Sequence, residues 1–233
     1  RTTMELGGHA PVVIFDDADI DLAAKTMSTS KFRNAGQVCI SPTRFLVQEG
    51  VYKAFVERFV AATQGIVTGN GLDPNNTMGA LANSRRTMAV ESAIEDARRH
   101  GGAVRTGGSR LGPSGNYFAP TVVTEVDRAA QAMNVEPFGP LAVINPFRTF
   151  EDAVTEANRL PFGLASYAWS RSAKTMHAIG CALEAGMVSI NHVGLGHPEV
   201  PFGGVKESGH GSEGGSEAIE PYLNPKFITQ IGA

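Results

Sequence analysis

The sequence predicts an α/β domain with a mostly parallel sheet flanked by helices. Two observations carry this. Short apolar runs rich in β-branched residues alternate along the chain with stretches of helical periodicity. The first such run, residues 11–15 (PVVIF), is closed by Asp16 and Asp17, as suits a buried strand ending in a polar turn.

After that strand, Asp19 is placed to cap a helix that presents Leu22, Ala23, Met27 and Phe32. Residues 44–48 read as a second strand. Residues 51–66 repeat apolar side chains at Phe55, Phe59, Val60 and Ile66, close to helical spacing. The chain breaks over 69–74, and a helix over about 85–100 leads into Gly101-Gly102. From there to Pro120 the glycines predict surface loop around one short strand. Residues 141–147, 165–170 and 187–191 read as strands, alternating with helices over about 150–158 and 173–184. From Val200 the composition shifts to glycine, ahead of a short helix-like piece and a strand-like 226–231, so the tail reads as a separate appendage.

At 233 residues the chain can bury a sizeable core as one large or two small domains. Hydrophobic residues make up 42% and charged residues 18%, and no apolar run is long enough for a membrane span. A net charge of -3 with scattered arginines disfavours nucleic-acid binding. Only Cys39 and Cys181 occur, which argues against a disulfide framework or a cysteine zinc site and makes the cytoplasm the default compartment. The opening RTTMELGG has neither an initiator Met nor a signal-peptide pattern, and reads as a start within a longer protein.

Few residues offer chemistry. Cys39 follows a predicted helix, with Gly36 permitting close backbone approach, so a thiol could stand at the end of an element. By residue type alone an isolated cysteine is a small buried hydrophobe, and Cys181, on an apolar helix face, is read that way. Glu5 precedes Gly7-Gly8, which leave room for a ligand or water, although by residue type alone an exposed glutamate before a turn is the more ordinary reading. Glu136 opens the rigid turn EPFGP, which sets the direction of Phe138. The six histidines form no close metal pair, and no metal is expected.

Taken in order, MELGG (4–8), FRNAGQVC (32–39), EPFGP (136–140), LPFGLAS (160–166) and PFGGVKESG (201–209) resemble the aldehyde dehydrogenase superfamily. The resemblance covers essentially the whole chain and about the C-terminal half of a family member. The family's dinucleotide-binding domain, which precedes this half, is absent. It implies a catalytic domain over 1–207, followed by a return segment and oligomerisation strand over 208–233.

Carried over by residue, the resemblance makes Cys39 the nucleophile and Glu5 the general base. It makes Glu136 a ligand of the nicotinamide ribose and Phe138 a packing partner of the nicotinamide, with Gly7 lining the same site and Phe202 on the substrate wall. The cofactor implied is NAD or NADP, and the partner a small-molecule aldehyde. In the succinate-semialdehyde and 2-oxoglutarate-semialdehyde branch an arginine at the place of Arg33 helps to hold a distal carboxylate, and a residue at the place of His197 faces the substrate. A carboxylate-bearing semialdehyde is therefore favoured, while Arg33 also reads as a surface arginine at a helix end. Val135 departs from an acidic residue common in the family. The family's second oxyanion donor lies in the preceding half, so the chain alone is expected to be inactive. A thiol esterase or an inert oligomerisation module is the alternative. Residues 226–231 would add to a neighbouring subunit's sheet in a homodimer or homotetramer.

Overall fold

The computed structural model describes residues 1–232. Strand β1 (Met4–Glu5) precedes β2 (Pro11–Ile14), and Asp19 then caps α1 (Ile20–Phe32) by accepting from the Leu22 backbone N–H. A 3-10 turn at Arg33–Gly36 leads to β3 (Arg44–Gln48) and α2 (Glu49–Gln64). Next come α3 (Ser84–Arg99), capped by Asn83, then β4 (Ala103–Thr106), β5 (Thr121–Thr124) and α4 (Gln131–Asn134). Strand β6 (Leu141–Phe147) is followed by α5 (Phe150–Asn158), whose Thr149 and Asp152 form a reciprocal capping box. The chain closes with β7 (Phe162–Gly163), β8 (Ala165–Trp169), α6 (Ala173–Ala182), β9 (Met187–Ile190), β10 (Val205–Lys206) and β11 (Gly209–His210), then a 3-10 turn at Ser216–Tyr222.

Among the described residues one sheet runs in the order β4-β5-β6-β3-β2-β8-β9. Every neighbouring pair in it is parallel except β4 with β5. Helices cover both faces. Val12 and Ile14 of β2 join a core with residues of α1, α2 and α3, while Val13 between them packs with Ala153 and Ala157 of α5 and Ile179 of α6. That two-sided cover explains why the run at 11–14 is apolar at every position.

The face under α1 and α2 is locked by Phe32, Phe45, Phe55 and Phe59, whose rings meet with centroids 4.8 to 6.4 Å apart. Each is essentially fully buried, and burial of such a ring stabilises by about 1.5–3 kcal/mol. Phe32 is the last residue of α1. The turn that follows it, toward Cys39, therefore starts from a fixed point.

Four differences from the expectations have physical causes. Strand β5, just beyond the loop stretch that ends at Pro120, was covered by no expected element, and it is buried between β4 and β6. Cys181 is exposed rather than on an apolar face, with its sulfur 4.0 Å from His177 Nε2. Residues 226–231 form no strand, because nothing among the described residues pairs with them; Phe227, Ile228 and Ile231 are 89%, 74% and 94% exposed. The glycine-rich tail begins inside the fold. β10 pairs with β7, β11 pairs with β1, and Ser208 is wholly buried, so the expected division at residue 207 passes through a knot of packed strands.

Candidate active site

The motif residues gather at one edge of the sheet. Glu5–Gly8 lead into β2, Cys39 into β3, Glu136–Phe138 into β6, and β7 into β8. Since β2, β3, β6 and β8 are mutually parallel neighbours, these loops all lie at the amino ends of the strands. Open α/β sheets usually bind ligands at the carboxyl ends. Here that edge carries a cleft lined by Phe15, Asp16, Asp17, Gln48 and Thr175, and none of the motif residues lies there.

The nucleophile loop owes its path to three successive left-handed residues, Asn34, Ala35 and Gly36, with φ of 51°, 54° and 72°. The Asn34 and Gln37 side chains brace it by donating to each other's backbone carbonyls at 3.0 Å. Glycine is required at 36, because a Cβ there would overlap the Gly139 carbonyl oxygen. The cysteine loop and the EPFGP turn are thus in backbone contact. Tyr167, buried on β8, donates its hydroxyl to the Ile40 carbonyl at 2.7 Å and fixes the peptide just beyond Cys39.

Cys39 is partly buried, and its thiol is pushed up to about 11. Burial is the main cause, and the Glu5 carboxylate facing it adds to the effect; the N–H groups of Ile40 and Cys39, turned toward the sulfur, oppose it. Glu5 is held on β1 opposite Gly209. Its Oε1 is buried and has no hydrogen-bond partner among the described residues.

The Glu5 loop is anchored on both sides. Ser208 donates to the Gly7 carbonyl at 2.7 Å and accepts from the Gly163 N–H at 3.0 Å. On the other side, buried His9 pairs through Nδ1 with the Thr43 hydroxyl at 2.7 Å and through Nε2 with the Ala132 carbonyl at 3.1 Å. Burial first, then the Arg44 charge, holds the His9 ring well below the usual range, so it is neutral. Arg44 donates to the His9 carbonyl and to the carbonyls of Glu156 and Ala157 at the end of α5.

Glu136 lies beside the same loop. A Cβ at Gly7 would overlap its Oε2, so the glycine admits the carboxylate, and the Gly8 N–H faces it. Burial raises Glu136 to about 7, against the pull of Gly8, Lys31 and Arg86. Phe138 follows at φ 39°, in a left-handed turn that fixes its ring direction. A half-buried carboxylate two residues before an aromatic side chain offers the kinds of group that a ribose hydroxyl pair and a flat ring would need.

The structure therefore brings together Cys39, Glu5, Gly7 and Glu136, with Phe138 on the adjoining turn. Phe202 is partly buried against the main core and fixed by backbone hydrogen bonds with Glu213 at 2.6 and 2.7 Å. Arg33 and His197 are both exposed. The charge of Arg33 reaches Tyr167 beneath the cysteine loop, whereas His197 turns its Nε2 toward Gly194. Sequence reasoning missed Tyr167, Ser208 and the buried Lys31. Only Lys31 left a signal, since it falls four residues after Met27 on the buried face of α1. Among the described residues no cluster could hold a metal ion, and no helix is long and apolar enough to cross a membrane.

Residues 1–228 match the family model described as aldehyde dehydrogenase family. The chain is 44% identical over 231 residues to a 4-(hydroxymethyl)benzenesulfonate dehydrogenase of Comamonas testosteroni, covering 99% of this chain and 48% of that protein. It is 41% identical over 228 residues to the NADP(+) succinate-semialdehyde dehydrogenase of Escherichia coli K12, covering 98% and 47%. The crystal structure of an aldehyde dehydrogenase from Brucella melitensis biovar abortus 2308 superposes with a TM-score of 0.93 at 40% identity, covering 97% of this chain and 46% of that one. The chain thus spans about half the length of the curated relatives it matches.

Proposed function

The chain belongs to the aldehyde dehydrogenase family, and on that premise we propose that it is the nucleophile-bearing part of an NAD(P)-dependent aldehyde dehydrogenase. The observation that carries this reading is the pairing of the Cys39 thiol with Glu5, whose buried Oε1 has no hydrogen-bond partner among the described residues. Cys39 attacks the aldehyde carbon as thiolate, forming the S–C bond of a hemithioacetal. The N–H groups of Cys39 and Ile40 already lie beside the sulfur, where donors aimed at a developing oxyanion lower the barrier most. Glu136 would hold the nucleotide's ribose and Phe138 would pack on its nicotinamide ring. A bound nicotinamide would supply the hydride acceptor for the hemithioacetal carbon, and Cys39 would then hold the acyl group as a thioester. Glu5 then takes a proton from water, the hydroxide adds to the thioester carbon, and the Cys39 sulfur leaves as the acid forms.

For the substrate, the reading favours a small aldehyde with a distal carboxylate, such as succinate semialdehyde. Arg33 is an exposed cation whose field reaches the cysteine loop, and the relatives named above act on compounds that carry a carboxylate or a sulfonate. The test is steady-state kinetics on the intact protein with succinate semialdehyde and an uncharged aldehyde of equal length. Arg33→Gln should raise KM for the charged substrate by roughly tenfold, the worth of one charge-assisted hydrogen bond, and leave the uncharged one unchanged. No oxidation of either aldehyde would remove the proposal. The exposed apolar side chains of residues 226–231 support pairing with a second subunit.

A further inference from the structure

We propose that Lys31 is the internal counter-charge of Glu136, a positioning residue that keeps this carboxylate ionised and in place for the nucleotide ribose. The second half of that statement rests on the ribose reading of Glu136 given above.

Lys31 lies on α1 in the stripe that also buries Ala24, Met27 and Ser28, and its own exposure is 0%. Its ammonium makes one side-chain hydrogen bond, to Ser41 Oγ at 3.2 Å, and Ser41 in turn reaches the Lys31 carbonyl at 3.4 Å. One hydroxyl does not compensate an ammonium taken fully out of water, and a lysine with no charge to answer would be replaced in such a place by an apolar chain of the same length.

The placement sets the ammonium against the turn that carries Glu136. The point from which a side chain at position 36 would start is 3.2 Å from Lys31 Nζ and overlaps the Gly139 carbonyl oxygen. The ammonium therefore sits against the turn that carries Glu136, and ties it through Ser41 to the loop of Cys39. Among the described residues no carboxylate is within ion-pair distance of Nζ, and Glu136 is the one whose field favours its charge. Burial lowers Lys31 to about 7 and raises Glu136 to about 7, and each opposes the other's shift. Glu136 also faces Arg86, which favours the carboxylate, and Glu5, which disfavours it. With the Lys31 charge gone, only the Gly8 N–H and Arg86 stand against burial and Glu5. A protonated Glu136 would put a donor on one oxygen and lose the charge that strengthens acceptance, and so would hold a pair of ribose hydroxyls more weakly.

The test is reciprocal titration in the chain itself. The Glu136 carboxyl carbon is followed by 13C NMR and assigned by its loss in Glu136→Gln; Lys31→Met should move its midpoint up by about one pH unit, a tenfold change in the ionisation constant. In Glu136→Gln the Lys31 Nζ midpoint should move down. This second arm does not depend on Lys31→Met folding. A Glu136 midpoint that stays or falls in Lys31→Met, or a Lys31 midpoint that does not fall in Glu136→Gln, overturns the pairing. Nucleotide affinity of the intact protein, measured by NADH and NADPH fluorescence, should fall roughly tenfold in Lys31→Met as the carboxylate is lost. If both midpoints move as stated and affinity does not change, the ribose reading fails while the pairing stands.

Discussion

Replacing Glu5 by Gln should make the resting Cys39 thiol more reactive. The thiol is held at about 11 against an ordinary 9.0, so at pH 8 the thiolate population is about a hundredfold below that of an unperturbed cysteine. A thiolate of higher basicity is intrinsically more nucleophilic, which over two pH units returns about a factor of ten. The net expectation is alkylation about tenfold slower than for a free thiol. Burial is the larger cause and Glu5 the next, so Glu5→Gln should recover part of that factor. The assay is iodoacetamide labelling across a pH series, with quantitation of the Cys39 peptide by mass spectrometry and exposed Cys181 as an internal check on the reagent. Slower labelling in Glu5→Gln would mean that Glu5 acts as a base toward the resting thiol, and the electrostatic account of the pair would be refuted. A labelling inflection well below pH 9 in the unsubstituted chain would refute the burial argument.

Gly7→Ala should leave the fold intact, because the new Cβ meets only the flexible end of Glu136. The displaced carboxylate should weaken nucleotide binding about tenfold, or 1.5 kcal/mol, by calorimetric titration of the intact protein. His9 is held neutral well below 6.5, so the unfolded chain binds its proton first as the pH falls. The stability gained from burying the neutral ring is present above about pH 6.5 and is lost below it, by up to about 1.4 kcal/mol per pH unit. Urea unfolding of His9→Gln should show a flatter acid limb than the unsubstituted chain, and parallel limbs would exclude the assignment. Tyr167→Phe leaves the Ile40 carbonyl without its donor and should cost about 1–3 kcal/mol in the same unfolding assay, with altered Cys39 labelling. Unchanged labelling would limit Tyr167 to stability.

Elements whose signals are local were legible in the sequence. Strand β6 and helix α5 lie at the expected 141–147 and 150–158, since the apolar run at 141–144 and a Thr-x-x-Asp cap are local signals. The pairs β1 with β11 and β7 with β10 are each two residues long and exist only through contacts far apart in sequence. No periodicity announces them. The strand-like 226–231 pairs with nothing among the described residues, as edge pairing with a neighbouring subunit's sheet would require. At the site, Cys39, Glu5 and Glu136 stood out through motif order, and their mutual contacts followed from parallel strands delivering their leading loops to one edge. Tyr167 could not be found in this way, because its partner Ile40 is 127 residues away. Arg33 was marked by its place near Cys39, and its exposure leaves its part in substrate binding to the kinetic test.

The most direct test is the mass of the Cys39 peptide after the intact protein is mixed with oxidised nucleotide and a semialdehyde and quenched in acid. With Glu5→Gln, the account predicts that an acyl group accumulates on Cys39, while the unsubstituted protein shows it only transiently. An unmodified Cys39 in the variant while acid product still forms would contradict it.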